Sequence, residues 1–125
     1  MESPLIGLGI DVVDLDRFRR VLDRTPAVAE RLFTDAEREY AGRQRDPTRR
    51  LAARFAAKEA TMKALSVGIG AFAFRDVEVV GLASQAPSLR LSGRARSLAD
   101  DLGVREWRVS LTHGDLVAQA VVVAL

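Results

Sequence analysis

The chain has 125 residues, a length that fits one domain, and its 48% hydrophobic and 29% charged residues are typical of a globular protein. The absence of cysteine excludes a disulfide framework and a thiolate metal site. Because residues 1–4 (MESP) resemble no signal peptide and no apolar run spans a membrane, we expect a cytoplasmic protein without a membrane partner. With a net charge of +2, one Trp and no known nucleic-acid motif, the chain is expected to bind anions but not nucleic acid.

The first predicted element is a buried strand over residues 5–13 (LIGLGIDVV), which Asp11 interrupts. An acidic side chain at that position needs a partner, which is a backbone amide, an arginine or a cation. Asp14 caps a helix that is predicted to run to about Arg24. The side opposite its apolar residues is basic, and forms either a solvated face or a docking strip for an acidic protein. The arginines of this basic ridge are Arg17, Arg20 and Arg24.

Thr25 and Pro26 end this helix, and a short helix is predicted to reach Phe33. Residues 34–37 (TDAE) match a capping box, which opens a further helix to about Arg45. Asp46 and Pro47 end that helix and lead into the central one.

The central predicted helix covers residues 51–65 (LAARFAAKEATMKAL), and it holds the only two lysines of a chain with nineteen basic residues. The helical period places Glu59 on one face with Phe55, Met62 and Lys63, while four alanines form a second face. A carboxylate among apolar neighbours has to pair with Lys63, with a metal ion or with both. The plain alternative is an ordinary surface pair between residues four positions apart, worth a few tenths of a kcal/mol.

The remaining elements are mostly strands. Residues 66–70 (SVGIG) form a loop, and strands are predicted at 76–80 and 88–92 around a turn that contains Pro87. A short helix covers 93–102, and two strands at 106–112 and 117–125 are joined by a hairpin at residues 113–115 (HGD). In the first of these two strands, Trp107, Val109 and Leu111 are predicted to point inward. This order of elements favours an α+β fold with a largely antiparallel sheet packed against the long central helix.

Three segments together carry a family resemblance: residues 7–11 (GLGID), 54–60 (RFAAKEA) with Lys63, and 109–113 (VSLTH). In this order and at these separations they closely resemble the holo-[acyl-carrier-protein] synthases, a family of 4'-phosphopantetheinyl transferases. The likeness covers almost the whole chain and implies one transferase domain over residues 1–125. It implies transfer of the phosphopantetheine arm of coenzyme A to a serine of an apo acyl carrier protein, which leaves adenosine 3',5'-bisphosphate.

The resemblance assigns the magnesium-binding carboxylates to Asp11 and Glu59, and a catalytic, charge-stabilising role to Lys63. A hard cation on a diphosphate prefers a few carboxylate oxygens together with water and phosphate, so the assignment is chemically sound. Either Glu59 itself or a metal-bound water takes the proton of the serine, and the sequence does not choose between them. Lys58 lies about 100° around the helix from Glu59 and is the weaker candidate.

The resemblance also implies which residues contact coenzyme A and which partners the protein has. Arg54 and His113 match nucleotide-binding positions, and Arg17 matches a position that docks the acidic carrier. The other coenzyme A candidates are Ser110, Thr112, Arg45 and Arg49. The family usually forms homotrimers with sites shared between protomers, which implies the same assembly for this chain.

The chain departs from the family pattern at residues 84–87 (SQAP), where an Asn-Gly-Lys-Pro turn is common, and at residues 66–67 (SV), where the family has Gly-Thr. The first departure leaves open a non-catalytic trimeric module that binds coenzyme A or nucleotide, and the basic ridge leaves open a protein-docking domain.

Overall fold

The computed structural model describes residues 5–81 and 85–125, and within those ranges the chain forms helices α1–α5 and strands β1–β5. The helices are α1 (Leu15–Arg24), α2 (Ala27–Leu32), α3 (Asp35–Gly42), α4 (Pro47–Ala64) and α5 (Gly93–Asp101). The strands are β1 (Gly7–Asp14), β2 (Val77–Val80), β3 (Ser88–Leu91), β4 (Trp107–His113) and β5 (Val117–Ala124). A 3₁₀ turn, Phe74–Asp76, precedes β2.

The strands form two antiparallel sheets, a three-stranded sheet in the order β1-β5-β4 and the hairpin β2-β3. In the larger sheet Ala120 of the central strand β5 pairs with Asp11 of β1 on one side and with Leu111 of β4 on the other. Because side chains alternate between the two faces of a strand, Asp11 shares its face with the buried residues of β5. That face is covered by α4.

Small side chains let α4 lie directly on the sheet. Its buried alanines are Ala52, Ala53, Ala56, Ala57, Ala60 and Ala64. Glycine is required on the strand that meets them, because a Cβ added at Gly9 would lie 1.8 Å from the carbonyl oxygen of Ala60. The backbones of β1 and α4 are therefore in direct contact. This contact brings side chains of the two elements close together at the positions that follow the glycines along β1.

Lys58 and Glu37 form an ion pair in the core. Lys58 Nζ donates to Glu37 Oε1 at 2.7 Å, and neither side chain is exposed to solvent. Lys58 also donates to the carbonyl oxygens of Phe74 and Val77, while Glu37 accepts from the backbone N–H of Val79. Burial lowers the pKa of Lys58, and the carboxylate of Glu37 opposes that shift. The pair joins α3, α4 and β2.

The outer face of the three-stranded sheet is apolar and exposed. On β1, Leu8, Ile10 and Val12 expose 57%, 57% and 53% of their surface. They lie beside Val123, Val121 and Gln119 of β5 in the sheet register. Three large apolar side chains in a row on one strand are unusual for a surface that faces water alone.

The α+β architecture with a long helix on an antiparallel sheet is confirmed. The predicted boundaries shift by a few residues, since α3 ends at Gly42 and not near Arg45, and Asp76 belongs to the 3₁₀ turn and not to β2. Trp107, Val109 and Leu111 lie half-buried on the inner face as predicted. Residues 1–4, assessed above as a possible signal peptide, lie outside the described ranges. None of the helices in the described ranges combines the length and the apolar character that a membrane crossing requires.

Candidate active site

The contact between β1 and α4 places an acidic pair at the edge of the core. Asp11 follows the two glycines of β1, and Glu59 projects from α4 just before Ala60. Both carboxylates line one pocket of about 560 Å³. Two distant acids of the sequence therefore face the same space.

Lys63 approaches Asp11 rather than Glu59. Its Nζ donates to the carbonyl oxygen of Ile10 at 2.9 Å and to Asp11 Oδ1 at 3.2 Å. Among the ion pairs of residues 5–81 and 85–125, none involves Glu59. Of the partners expected for Glu59, which were Lys63, a metal ion or both, the ion pair with Lys63 is absent from the described ranges, because Lys63 reaches across to the strand.

Burial raises the pKa of Glu59, the negative charge of Asp11 adds to the increase, and Lys63 opposes it. The two carboxylates thus repel one another across the pocket, and Glu59 has no positive side chain of its own within the described ranges. A cation placed between them would relieve this repulsion. No group of three or more His, Asp or Glu side chains that could hold a metal occurs in the described part of the chain, so the candidate metal site consists of two carboxylates.

The same pocket is lined by one basic side chain and by several apolar ones. Arg17 of α1 lines it together with the two carboxylates. Its apolar lining comes from three helices and includes Phe18, Val21, Val28, Leu32 and Phe55. Arg20 and Arg24 are exposed on the same helix as Arg17, so the basic ridge runs away from the pocket along α1.

A second group of candidate residues lies on a different side of α4. Arg54 and His113 line a pocket of about 230 Å³ with Tyr40 and Arg50. Arg54 is only 6% exposed, and its guanidinium carbon lies 4.4 Å from the centre of the Tyr40 ring. Burial lowers the pKa of Arg54 and also that of His113, for which Arg50 and Arg49 add to the effect. Within the described ranges, Arg54 Nε and His113 Nδ1 are buried without a hydrogen-bond partner. A buried positive group with an unsatisfied donor suits a bound anion.

A third pocket of about 600 Å³ adjoins this one, and His113 and Arg50 line both. Arg45 and Arg49 line it as well. Arg49 is already engaged, because its Nη2 donates to Asp115 Oδ1 at 2.7 Å and its Nε lies 3.2 Å from Asp46 Oδ2. Arg50 adjoins Arg49 and lines both pockets, but it was not among the predicted coenzyme A candidates.

Ser110 and Thr112 lie on the opposite face of β4 from His113. Their side chains are exposed on the outer face of the sheet, whereas His113 shares the inner face with Leu111. Within a single chain the two hydroxyls and the imidazole therefore point in opposite directions. Of the residues at the altered turn, Gln85 and Pro87 line the pocket of Arg54, and Ser84 lies outside the described ranges.

The model of the 4'-phosphopantetheinyl transferase superfamily matches residues 7–121, which include all three motifs. The chain belongs to this superfamily. Among its curated relatives, the holo-[acyl-carrier-protein] synthase of Streptomyces avermitilis is 48% identical over 96% of this chain and 97% of its own length. That of Frankia alni is also 48% identical, with the same coverage. This phosphopantetheinyl transferase is therefore an enzyme of the holo-[acyl-carrier-protein] synthase type, as the resemblance implied.

Solved structures agree with this assignment. The holo-[acyl-carrier-protein] synthase of Neisseria meningitidis matches the transferase with a TM-score of 0.88 and 31% identity, over 98% of this chain and 99% of that one. The enzyme of Helicobacter pylori, solved in complex with coenzyme A, matches with a TM-score of 0.82 and 31% identity, over 94% and 99% of the two chains. The predicted fold is thus confirmed across nearly the whole chain.

Proposed function

We propose that the protein transfers 4'-phosphopantetheine from coenzyme A to a serine hydroxyl of an apo acyl carrier protein in a magnesium-dependent reaction that releases adenosine 3',5'-bisphosphate. The observation that carries this proposal is the shared pocket of Asp11 and Glu59, with Lys63 bound to Asp11. The relatives named holo-[acyl-carrier-protein] synthase and the Helicobacter pylori complex with coenzyme A support the two substrates.

The acidic pair fits a magnesium ion. Magnesium is usually held by one or two carboxylates and completes its shell with water and substrate phosphate. Asp11 and Glu59 would supply the carboxylate oxygens, and their mutual repulsion favours a cation between them. When bound, the ion would neutralise the charge of the diphosphate.

The side chains of the pocket support attack by the serine oxygen on the β-phosphorus of coenzyme A. As the new oxygen–phosphorus bond forms, the bond to the leaving bisphosphate breaks and the serine loses its proton. The raised pKa of Glu59 suits it to accept that proton. Lys63, a compact cation, lies beside Asp11 where it can stabilise the negative charge that develops on the phosphoryl oxygens.

The nucleotide end of coenzyme A would bind at Arg54 and His113, with Arg45 and Arg49 in the adjoining pocket. Arg54 and Glu59 are five positions apart on α4, so their side chains project about 140° from each other around the helix. The described residues that line the two regions do not overlap. One chain therefore offers two separate half-sites on different sides of the same helix.

A homotrimer with sites between protomers would join such half-sites, and the exposed face of β1 supports it. Leu8, Ile10 and Val12 form an apolar strip that a second copy of the chain would cover. Ser110 and Thr112 lie on the same outer face of the sheet. In an assembly their hydroxyls would reach a ligand bound by a neighbouring subunit.

The basic ridge of α1 supports docking of an acidic carrier. Arg17 lines the pocket of the acidic pair, and Arg20 and Arg24 continue the positive surface away from it. A carrier held there would present its serine to the pocket, and its negative charges would speed association. We propose that a single domain performs this reaction in the cytoplasm.

Mass spectrometry tests the function directly. The purified protein is incubated with coenzyme A, magnesium and an apo acyl carrier protein, and the carrier is expected to gain the mass of the phosphopantetheine arm. A Glu59→Ala variant should abolish the gain, whereas a Glu39→Ala variant on the exposed surface of α3 should retain it. Full activity of Glu59→Ala, or of the wild type after complete removal of divalent cations, would contradict the proposal.

A further inference from the structure

Lys58 immediately precedes Glu59 on α4, but it lines neither the pocket of the acidic pair nor that of Arg54. Its ammonium group is fully buried, and it donates to Glu37 Oε1 at 2.7 Å, to the carbonyl oxygen of Phe74 at 3.1 Å and to that of Val77. An ammonium group has three donors, so none is left for a substrate. A role of Lys58 in the reaction therefore has to act through another residue.

Glu37 is bound as completely as its partner. Its Oε1 also accepts from the N–H of Thr34 at 3.0 Å in the capping box of α3, and its Oε2 accepts from the N–H of Val79 at 3.0 Å. β2 has β3 as its strand neighbour, and the ion pair binds two further backbone groups of β2, the carbonyl oxygen of Val77 and the N–H of Val79. Directional bonds of one ion pair thus join α3, α4 and β2.

The contact between α4 and the three-stranded sheet, by contrast, is made of small groups. Alanines of α4 meet the glycines of β1, and a Cβ added at Gly7 would lie 1.8 Å from the carbonyl oxygen of Ala64. Methyl and backbone groups form shallow ridges, which fix how near the helix lies but oppose a rotation about its axis or a slide along it only weakly. The hydrogen bonds of Lys58 oppose both movements, because each allows a narrow range of distances and angles.

A buried ion pair is a poor source of stability. Taking two charges out of water costs about as much free energy as their attraction returns, and apolar side chains of similar size stabilise a core at least as well. What the ion pair supplies is a defined orientation of α4. Because Glu59 is the next residue of the helix, a rotation that these bonds prevent would turn its carboxylate away from Asp11.

We propose that the buried pair of Lys58 and Glu37 positions Glu59 for the reaction, by fixing the rotation of α4 that places its carboxylate in one pocket with Asp11. The inference rests on the proposed function, because it takes the two carboxylates as the ligands of magnesium. Loss of the pair should weaken magnesium binding and slow the transfer in a protein that is still folded. The KM for the carrier, which docks on α1, should change little.

Lys58→Met keeps the length of the side chain and removes its charge and donors, and Thr61→Val is the matched control. Thr61 is fully buried on the same helix, but its hydroxyl donates within α4, to the carbonyl oxygen of Ala57 at 2.7 Å. Calorimetric titration in the presence of coenzyme A gives the dissociation constant for magnesium, and the carrier assay gives kcat and KM. Lys58→Met should raise the dissociation constant about tenfold and lower kcat about a hundredfold, whereas Thr61→Val should change neither.

Glu37→Gln breaks the same pair from the other side while it keeps an acceptor for Val79, and it should cause the same losses to a smaller degree. It replaces Lys58→Met should that variant unfold, and all measurements are made at a temperature where thermal unfolding shows the variants to be folded. Wild-type magnesium affinity and kcat in either folded variant, or equal losses in Thr61→Val, would overturn the inference and leave the proposed function intact. Absent transfer by the wild type, with a magnesium affinity that depends on Lys58, would refute the proposed function alone.

Discussion

At the scale of single residues, the ionised carboxylate of Glu59 lowers the stability of the folded protein. Its pKa is raised by burial and by Asp11, so the folded protein binds the proton more tightly than the unfolded chain does. Protonated Glu59 therefore adds to the free energy of unfolding at a pH below the ordinary pKa of glutamate. This contribution is lost as the pH rises through the raised pKa of Glu59 in the folded protein. The charged form that the chemistry needs is the less stable one.

Glu59→Gln should accordingly raise the melting temperature of the metal-free protein near pH 7.5, and the gain should vanish near about pH 4, where the unfolded chain is also largely protonated. Added magnesium should stabilise the wild type and not the variant. Thermal unfolding at both pH values, with and without chelator, measures these effects. Glu39→Gln, in an exposed pair with Arg43, serves as the control. A variant that is less stable than the wild type at neutral pH would contradict the argument.

Ser66 carries backbone strain that glycine would remove. Its φ of 59° lies in the left-handed region, and Ser66 and Val67 donate to the carbonyl oxygens of Lys63 and Met62, which is the usual C-terminal hydrogen-bond pattern of a helix. Ser66→Gly should stabilise the fold by about 1 kcal/mol and raise the melting temperature by about 4 °C, whereas Ser66→Ala should give no gain. A less stable glycine variant would mean that the serine side chain compensates for the strain.

The motifs allowed the sequence to predict that Asp11 and Glu59 lie close together, but not all of the contacts around them. Asp11 and Glu59 were predicted to meet, and they line one pocket. The partner of Lys63 was missed, because helical spacing brings it near Glu59 and only the tertiary contact of α4 with β1 brings it near Asp11. Arg49 and Arg50 are alike in sequence, and only the fold shows that Asp46 and Asp115 engage Arg49.

At the scale of elements, α1 combines a packing role with the proposed docking of the carrier. Leu15 and Phe18 are buried, while Arg17, Arg20 and Arg24 face solvent, as the helical period predicted. Charge reversal at Arg20 and Arg24 should therefore leave folding intact and raise the KM for an acidic carrier by about tenfold or more, with little change in the KM for coenzyme A. Reversal at Arg94 and Arg96 of α5 is the matched control. Equal effects of both double variants would remove the case for docking on α1.

The order and type of the elements followed from local sequence, because capping residues mark the helices and alternation marks the strands. Thr34 and Glu37 form the predicted capping box, and Asp46 caps α4. The division into two sheets was not predictable, since strand pairing depends on contacts between distant residues. That Ser110 and Thr112 face away from His113 was missed because the sequence placed His113 in the hairpin, whereas it is the last residue of β4 and follows the period of two.

At the scale of the whole molecule, the separation of the two half-sites makes a strict prediction about the proposed trimer. Glu59→Gln changes the acidic half-site, and Arg54→Gln changes the proposed nucleotide-binding half-site on the other side of α4. Each variant alone should be nearly inactive. The two variants are unfolded and refolded together in equal amounts. If every site combines half-sites from neighbouring subunits, the mixture should regain about a quarter of the wild-type activity. Random mixing leaves both halves of a site intact with that frequency.

Mixing the folded variants without exchange of subunits should restore nothing, which controls for trace wild-type activity. An Ile10→Glu substitution, which places a charge in the apolar strip of β1, should abolish the recovery and reduce the assembly to monomers in sedimentation experiments. If both half-sites of one chain served the same coenzyme A, no mixture could regain activity, because every chain would carry a damaged half. Recovery in the mixture therefore distinguishes a site between subunits from a site within one. The site is expected to lie between subunits because Arg54 and Glu59, five residues apart on α4, project about 140° from each other.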